Sequence, residues 1–462
     1  MTFRTLVLLG ASAAVLSACA LGPTYRAPAT PAGVGDRFVA LETGVASAEE
    51  PAAGWWRLFD EPALDALVEQ ALVENRDVAV AAANLARVRA VLGETRSQRL
   101  PSTALSASAA ATRQPSPATG EYESGESFTA GLDVSYEVDF FGRVRRSIEA
   151  SRADVDAARE AVEVVRISVA GETARAWADA CAANAQLAVA RRTIELQENS
   201  LALVQRQLDA GRGTGLDTAR AGAELESTRA SLPPLEAQRD AALFRLAVLT
   251  GQPPAQLSTE ARSCARIPQV KSVIPVGDGQ ALLRRRPDVR QAERNLAAAT
   301  ARIGVATAAL YPSVTLGGSF ATGGADASDF GSDISFKVGP LITWNFPNLA
   351  AARARVAQAD AAAQGALAQF EATSLAALQE TETALVQYAR ELDRRTALRR
   401  ARDESARAVR LSRMRFEAGR ENFLTVLDAE RTLAGLEAQL VQSDATVTTY
   451  QINLFKALAG GW

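Results

Sequence analysis

The chain has 462 residues, with 50 Lys plus Arg against 53 Asp plus Glu, and its net charge of −3 gives no global attraction to nucleic acid. It contains no histidine, so the commonest general base and the commonest transition-metal ligand are both missing, and three cysteines cannot build a zinc cluster alone. Aromatic residues make up 6% of the chain while Ala, Leu, Arg, Glu and Gln are plentiful, which favours long helices with aliphatic contacts. The expectation is a chain without enzymatic activity, cofactor or bound metal.

The first residues read as an export signal. Arg4 supplies a positive start, Leu6 to Leu16 form a short apolar run, and Leu16-Ser17-Ala18-Cys19 resembles the bacterial lipobox. That predicts removal of residues 1–18 and acylation of Cys19, with several acyl chains giving a stable anchor. An ordinary secretory signal with an incidental cysteine is the alternative. Ala20 follows the cysteine where an Asp would retain a lipoprotein at the inner membrane, so the resemblance implies sorting to the outer membrane. No later stretch offers the roughly 20 uninterrupted apolar residues of a spanning helix, so any passage through a membrane must use strands.

An N-terminal extended segment, residues 19–61, leads into an internal repeat. Asp77-Val78, Asn84-Leu85 and Leu100-Pro101 recur as Asp288-Val289, Asn295-Leu296 and Tyr311-Pro312 at a constant offset. Phe140 and Asp154 recur as Phe346 and Asp360, and Ala210-Gly211-Arg212 with Leu216 as Ala418-Gly419-Arg420 with Leu424. The first repeat covers 62–254, with a strand pair at 102–138 and a helical hairpin at 143–250. A connector, 255–286, precedes the second repeat at 287–462, with a strand pair at 313–344 and a hairpin at 348–459.

Each repeat opens on an amphipathic helix, from about Pro62 to Arg99 and from about Pro287 to Leu310, stopped by Pro101 and Pro312. The strands follow. Phe128, Ala130, Leu132, Val134, Tyr136 and Val138 alternate with Thr129, Gly131, Asp133, Ser135 and Glu137. Ile334, Phe336, Val338, Pro340, Ile342 and Trp344 alternate in the same way, and Val314, Leu316 and Phe320 give a shorter version. The stretch Ser102 to Thr112 is mostly Ala and Ser. Runs of about ten alternating residues fit transmembrane barrel strands, although an ordinary half-buried sheet has the same pattern. Tyr136 and Trp344 near strand ends fit an interfacial aromatic girdle. Four strands cannot close a membrane barrel and lipid tolerates no open edge, so the barrel is expected to be shared: a trimer supplies about twelve.

The stretches Arg143 to Ala210 and Leu349 to Ala418 contain no proline, and at 1.5 Å per residue each helix reaches on the order of 100 Å. Gly211 and Gly419 suit the left-handed residue that ends a helix, giving two antiparallel helical hairpins. Glu121, Glu123, Glu126, Asp326, Asp329 and Asp333 form acidic loops between strands. Cys181, midway along a long helix, and Cys264, in the connector, are both expected in an oxidising compartment, as a disulfide or as buried thiols.

Trp55-Trp56-Arg57-Leu58-Phe59, Asp65-Ala66-Leu67, Asn75 with Asp77, Asp139-Phe140-Phe141-Gly142-Arg143, Leu283-Arg284-Arg285-Arg286-Pro287-Asp288-Val289, Tyr311-Pro312, and Gly419 with Leu424-Thr425-Val426-Leu427-Asp428-Ala429 together resemble TolC/OprM-type outer-membrane factors over nearly the whole mature chain. The lipobox and the segment from Ala210 to Asp217 are similar to the NodT-like efflux lipoprotein branch. The resemblance implies a mainly α, TolC-like fold with two structural repeats per protomer, and a homotrimer with a 12-stranded membrane β-barrel above a periplasmic α-helical barrel. It also implies an outer-membrane efflux channel partnered by a periplasmic adaptor and an inner-membrane pump of the resistance-nodulation-division (RND) class. A type I secretion duct shares that fold, and a soluble periplasmic coiled-coil scaffold is the reading from another class.

By the same resemblance, Asp428 would form an acidic ring at the periplasmic gate, with Thr425 where TolC has a second aspartate. Asp217 matches a TolC residue that latches the hairpins through an arginine, but here that arginine is replaced by Glu421, leaving Arg212 or Arg420 as substitutes. Gly211, Arg212, Gly213, Gly215, Leu216, Gly419, Arg420 and Leu424 would face the adaptor, with the two leucines as apolar knobs. Simple helix-start charge accounts equally for Asp217.

Overall fold

The computed structural model describes residues 20–28, 38–39, 46–50, 54–115, 120–264, 266–325 and 328–459. Cys19 and Asp326 lie outside them. Two compact units emerge, each drawing on both repeats: residues 1–29, 84–159 and 291–372 form one, and 30–83, 160–290 and 373–462 the other. Among the described residues no helix is long and apolar enough to cross a membrane.

The elements in chain order are β1 (Ala46–Ser47), α1 (Pro62–Glu74), α2 (Arg76–Ser97), β2 (Ser102–Pro115), β3 (Tyr122–Val138), α3 (Arg143–Asp209), α4 (Gly215–Arg229), α5 (Leu232–Leu249), α6 (Thr259–Arg262), β4 (Ile274–Pro275), α7 (Gly279–Arg285), α8 (Pro287–Ala308), β5 (Ser313–Gly324), β6 (Asp333–Thr343), α9 (Ala350–Glu417) and α10 (Phe423–Leu458).

Three helices differ from expectation. The single helix expected over Pro62 to Arg99 is two, split at Asn75. The Asn75 side chain accepts from the amides of Asp77 and Val78 at 2.9 and 3.3 Å, capping α2, while its Nδ2 donates to the Leu249 carbonyl at 3.0 Å. The return arm of the first hairpin also breaks, between α4 and α5, where Leu232-Pro233-Pro234 restarts the helix. In the second repeat α8 ends at Ala308 rather than Leu310.

The strand-bearing unit holds an antiparallel four-stranded sheet in the order β2-β3-β5-β6. Below it the Asp139-Phe-Phe-Gly-Arg143 run turns strand into helix. The two Asp139 oxygens accept from the amides of Val144 and Arg145 at 3.1 and 2.9 Å, supplying the side-chain cap of α3. Arg143 donates to both Glu137 oxygens, at 2.8 and 2.5 Å. Gly142 has φ +78°, and a Cβ there would lie 2.9 Å from Ala20 Cα. The segment after Cys19 is held at this junction: Arg146 donates to the carbonyls of Leu21 and Gly22, each at 3.1 Å, and Tyr25 donates to Glu293 at 2.8 Å.

The other unit has its core around Trp55, Phe59, Trp177, Leu246, Leu385 and Phe455. Trp55 stacks on Phe455 with centroids 5.0 Å apart, and Phe59 meets the same ring edge-on, which gives the Trp-Trp-Arg-Leu-Phe run its packing role. Ser47 and Pro275 end a short parallel pairing of β1 with β4. Cys181 and Cys264 are joined by a disulfide, tying the connector to α3.

Candidate channel surface and gate residues

The register of the sheet decides which side chains share a face. Leu105 pairs with Leu132, Leu132 with Phe320, and Phe320 with Phe336. Directly paired residues point the same way, so this row lies on one face. The rows two residues away are Thr103, Val134, Gly318 and Val338 on one side, and Ala107, Ala130, Thr322 and Ile334 on the other. The three alternating runs are therefore in phase, with Leu105 of β2 continuing their row: one face is an apolar belt across the sheet. The opposite face carries small and polar residues, including Ser106, Gly131, Ala321 and Ser335 in a single row.

That belt is uncovered. Leu105, Phe336 and Val338 are each at least 80% exposed, far too large an apolar surface for water. The edges β2 and β6 have no partner on their outer sides within the described sheet. An exposed belt with two open edges is what a sheet shared between chains and facing lipid would leave in a single chain. A Lys turned toward lipid at mid-depth would cost about 2–4 kcal/mol, and Lys337 avoids this by lying on the small, polar face.

Aromatics gather at the helix end of the sheet. Trp344 stacks on Phe346 at 4.6 Å and donates its indole N–H to the Leu310 carbonyl at 3.1 Å, while Phe141 stacks on Tyr311 at 4.8 Å. Tyr136 lies in the row of Leu316 and Pro340, while Trp344 follows the last residue of β6, four positions further toward the helices, so the two stand at different levels.

At the far end of each hairpin the same cap appears twice. Arg212 N–H donates to the Gln207 carbonyl and Gly211 N–H to Leu208; Arg420 N–H donates to Arg415 and Gly419 N–H to Phe416. Both are Schellman turns with the glycine left-handed, at φ +70° and +68°. A Cβ on either glycine meets nothing within 4 Å, so conformation alone requires it. Gly213 is confined by space, since a Cβ there would lie 2.9 Å from the Leu208 nitrogen. Thr214 then caps α4 through the Asp217 amide and Asn422 caps α10 through the Thr425 amide, at 3.2 and 3.0 Å.

Asp217 and Thr425 thus hold equivalent positions and take part in helix starts. Thr214 Oγ1 donates to Asp217 Oδ2 at 2.6 Å, and within the chain neither Arg212 nor Arg420 forms an ion pair with Asp217. The substitute latch is absent from the single chain. Glu421 instead pairs with Arg415 at 3.4 Å. Leu216 and Leu424 are 58% and 48% exposed, one on each hairpin. Asp428 is exposed on α10, one turn beyond Thr425, with the buried Leu427 and Val426 facing Val204, Ala221 and Phe416.

Sequence reasoning missed the polar ties between hairpins. Glu430, buried on α10, accepts from Ser200 of α3 at 3.0 Å and from Arg413 of α9 at 2.7 Å. Arg431 donates to Glu224 of α4 at 2.5 Å. Glu224 and Glu430 sit at ordinary helical positions with no local signature; only their distant partners distinguish them.

A lipid-facing sheet with open edges, joined to paired long helical hairpins, defines the protomer of an outer-membrane channel. The model of the outer membrane efflux protein family matches residues 67–252 and 279–460, and the chain belongs to that family. It is 32% identical to outer membrane protein OprJ of Pseudomonas aeruginosa over 461 residues, covering 97% of this chain and 94% of that one. It is 29% identical to nodulation protein T of Rhizobium leguminosarum bv. trifolii, covering 93% and 91%. The solved outer-membrane channel OprN superposes with a TM-score of 0.90 at 36% identity, covering 96% of this chain and all of that one. The chain is an outer-membrane efflux channel with the mainly α, TolC-like fold.

Proposed function

We propose that three copies of the chain close a twelve-stranded barrel and a periplasmic helical tunnel, and that this duct receives cargo from an inner-membrane RND-type pump through a periplasmic adaptor. The single observation that carries the trimer is the in-phase apolar belt with both edges, β2 and β6, unpaired. Lipid admits no open sheet edge, so β6 of one copy pairs with β2 of the next.

Cys19 anchors each copy to lipid at the inner face of the outer membrane. In support, Ala20 packs at Gly142, where strands give way to helices and the aromatic cluster marks an interface. Asp428 forms the acidic constriction of the periplasmic gate. The exposed Leu216 and Leu424, with the glycine turns behind them, present the hairpin ends to the adaptor.

The test is dye accumulation in cells lacking their own outer-membrane efflux channels. With a cognate adaptor and pump present, this chain should lower steady-state dye, and a Leu216→Asp, Leu424→Asp variant should not. Protein export in place of dye efflux would assign the duct to type I secretion.

A further inference from the structure

The polar face of the sheet carries two charges where the register gives it no structural use for them. Ala104, Asp133, Ser319 and Lys337 occupy one row, read across β2, β3, β5 and β6. Flanking rows on the other face are the apolar Leu105, Leu132, Phe320, Phe336 and Thr103, Val134, Gly318, Val338, so the charged row lies at the depth of the belt. Among the described side chains of the polar face, the other charged residues are Glu137 at the helix end, which is bound to Arg143, and Asp333 at the opposite end.

Asp133 and Lys337 are both exposed, and among the described residues no ion pair engages either. They cannot reach each other's charge closely: β3 and β6 are two strands apart, about 10 Å at the usual strand spacing. The neighbours on this face are Gly131, Ser135, Gly317, Ser319, Ser335 and Gly339, too small to shield either side chain. The sequence thus places one acid and one base at membrane depth, unpaired, on the face away from lipid. Ionisable residues at such a depth mark the path of the transported species.

We propose that Asp133 and Lys337 build a charge-balanced ring inside the barrel that lets solutes of either sign pass this level. The proposal rests on the trimeric barrel reading. With strand order β2-β3-β5-β6 repeated three times around twelve strands, Asp133 and Lys337 alternate at every second strand. The ring holds three carboxylates and three ammonium groups and sums to zero, so cations, anions and zwitterionic cargo meet no net barrier there. Either residue alone would leave three like charges around a narrow lumen, which favours counter-ions and repels co-ions.

The experiment is the reversal potential of reconstituted channels under a potassium chloride gradient. All proteins carry Asp428→Asn, so that the proposed tip charge is constant and neutral. Lys337→Gln should shift the reversal potential toward cation preference and Asp133→Asn toward anion preference, and the double variant should return close to the starting value. Conducting channels with the same reversal potential in all four proteins would overturn the ring and leave the barrel reading standing. A folded single chain that stays soluble without detergent, in place of a membrane-inserted complex of three, would overturn the barrel reading, and the ring with it. Labelling adds a second readout: an impermeant amine reagent applied outside intact cells should modify Lys337 through the open outer mouth, and an unmodified Lys337 in a conducting channel contradicts its place in the lumen.

Discussion

Arg286 donates to the carbonyl of Ala457 at 2.9 Å, closing the C-terminal end of α10 with a residue 171 positions earlier in the chain. Arg285 does the same for Leu458, through Nε and a terminal nitrogen at 3.1 and 2.9 Å. The last carbonyls of a helix lack intrahelical donors and carry partial negative charge, so two guanidiniums there satisfy both needs. This is the physical content of the Leu-Arg-Arg-Arg-Pro-Asp-Val run. Arg286 is also held by Asp288 at 2.6 Å and Glu380 at 2.8 Å, and these carboxylates keep it firmly charged despite burial.

Removing one partner of a buried pair costs about 3–5 kcal/mol, but Asp288 and Glu380 are 31% and 56% exposed and can rehydrate. Arg286→Ala is therefore expected to cost about 2–3 kcal/mol, seen as a lowered thermal midpoint by circular dichroism in detergent. Arg286→Lys should recover only part of it, because one ammonium cannot span three acceptors in a fixed fork.

Glycines with similar φ should respond differently to substitution. Gly142→Ala and Gly419→Ala both place a side chain in the left-handed region, at about 1–2 kcal/mol each. Only Gly142→Ala also drives a Cβ to 2.9 Å from Ala20. It should release the N-terminal segment and speed trypsin cleavage after Arg26, with Gly419→Ala cleaved there at the native rate.

Asp217 and Asp428 separate helix capping from gating. Asp217→Ala removes an acceptor from Thr214 and should cost about 1 kcal/mol of helix-start stability, with closed-state conductance unchanged. Asp428→Ala should leave stability near native and reduce the cation preference of the channel. Planar-bilayer recordings of the two variants distinguish these outcomes; increased leak in Asp217→Ala would restore a latch formed between chains.

Burial lifts the Asp179 carboxyl above its ordinary value, with Arg175 and Arg245 offsetting part of the rise and Glu172 adding to it. The folded chain then binds more protons than the unfolded chain between the ordinary value, about 4, and the raised one. Asp179's contribution is fully favourable below that window and is lost as pH rises through it. Asp179→Asn should remove this slope. Urea midpoints followed by tryptophan fluorescence at several pH values above about 4 should fall less steeply in the variant than in the native chain.

Much of the fold was legible because the sequence states it twice. The alternation from Phe128 to Val138 and from Ile334 to Trp344 reads directly as strands, and Gly211 and Gly419 read as helix ends. The break at Asn75 had a signal, since Asn two residues before Asp is a good cap, but the apolar spacing continued across it and masked it. Pro233-Pro234 likewise marked the restart of α5. What the sequence could not display is register: nothing local tells Leu105 that its row ends at Phe336, yet that pairing puts Asp133 and Lys337 on one face. The clasp of Glu430 by Ser200 and Arg413 is equally remote, because it depends on three helices meeting.

The central claim is that one chain supplies only a third of its barrel. The most direct measurement is native mass spectrometry of the full-length chain extracted from outer membranes in mild detergent. The expected result is a complex of three chains that persists after delipidation and that dissociates when prolines replace Ala107 and Ala109 on the β2 edge. A folded single chain, soluble without detergent and with its four-stranded sheet intact, would contradict it.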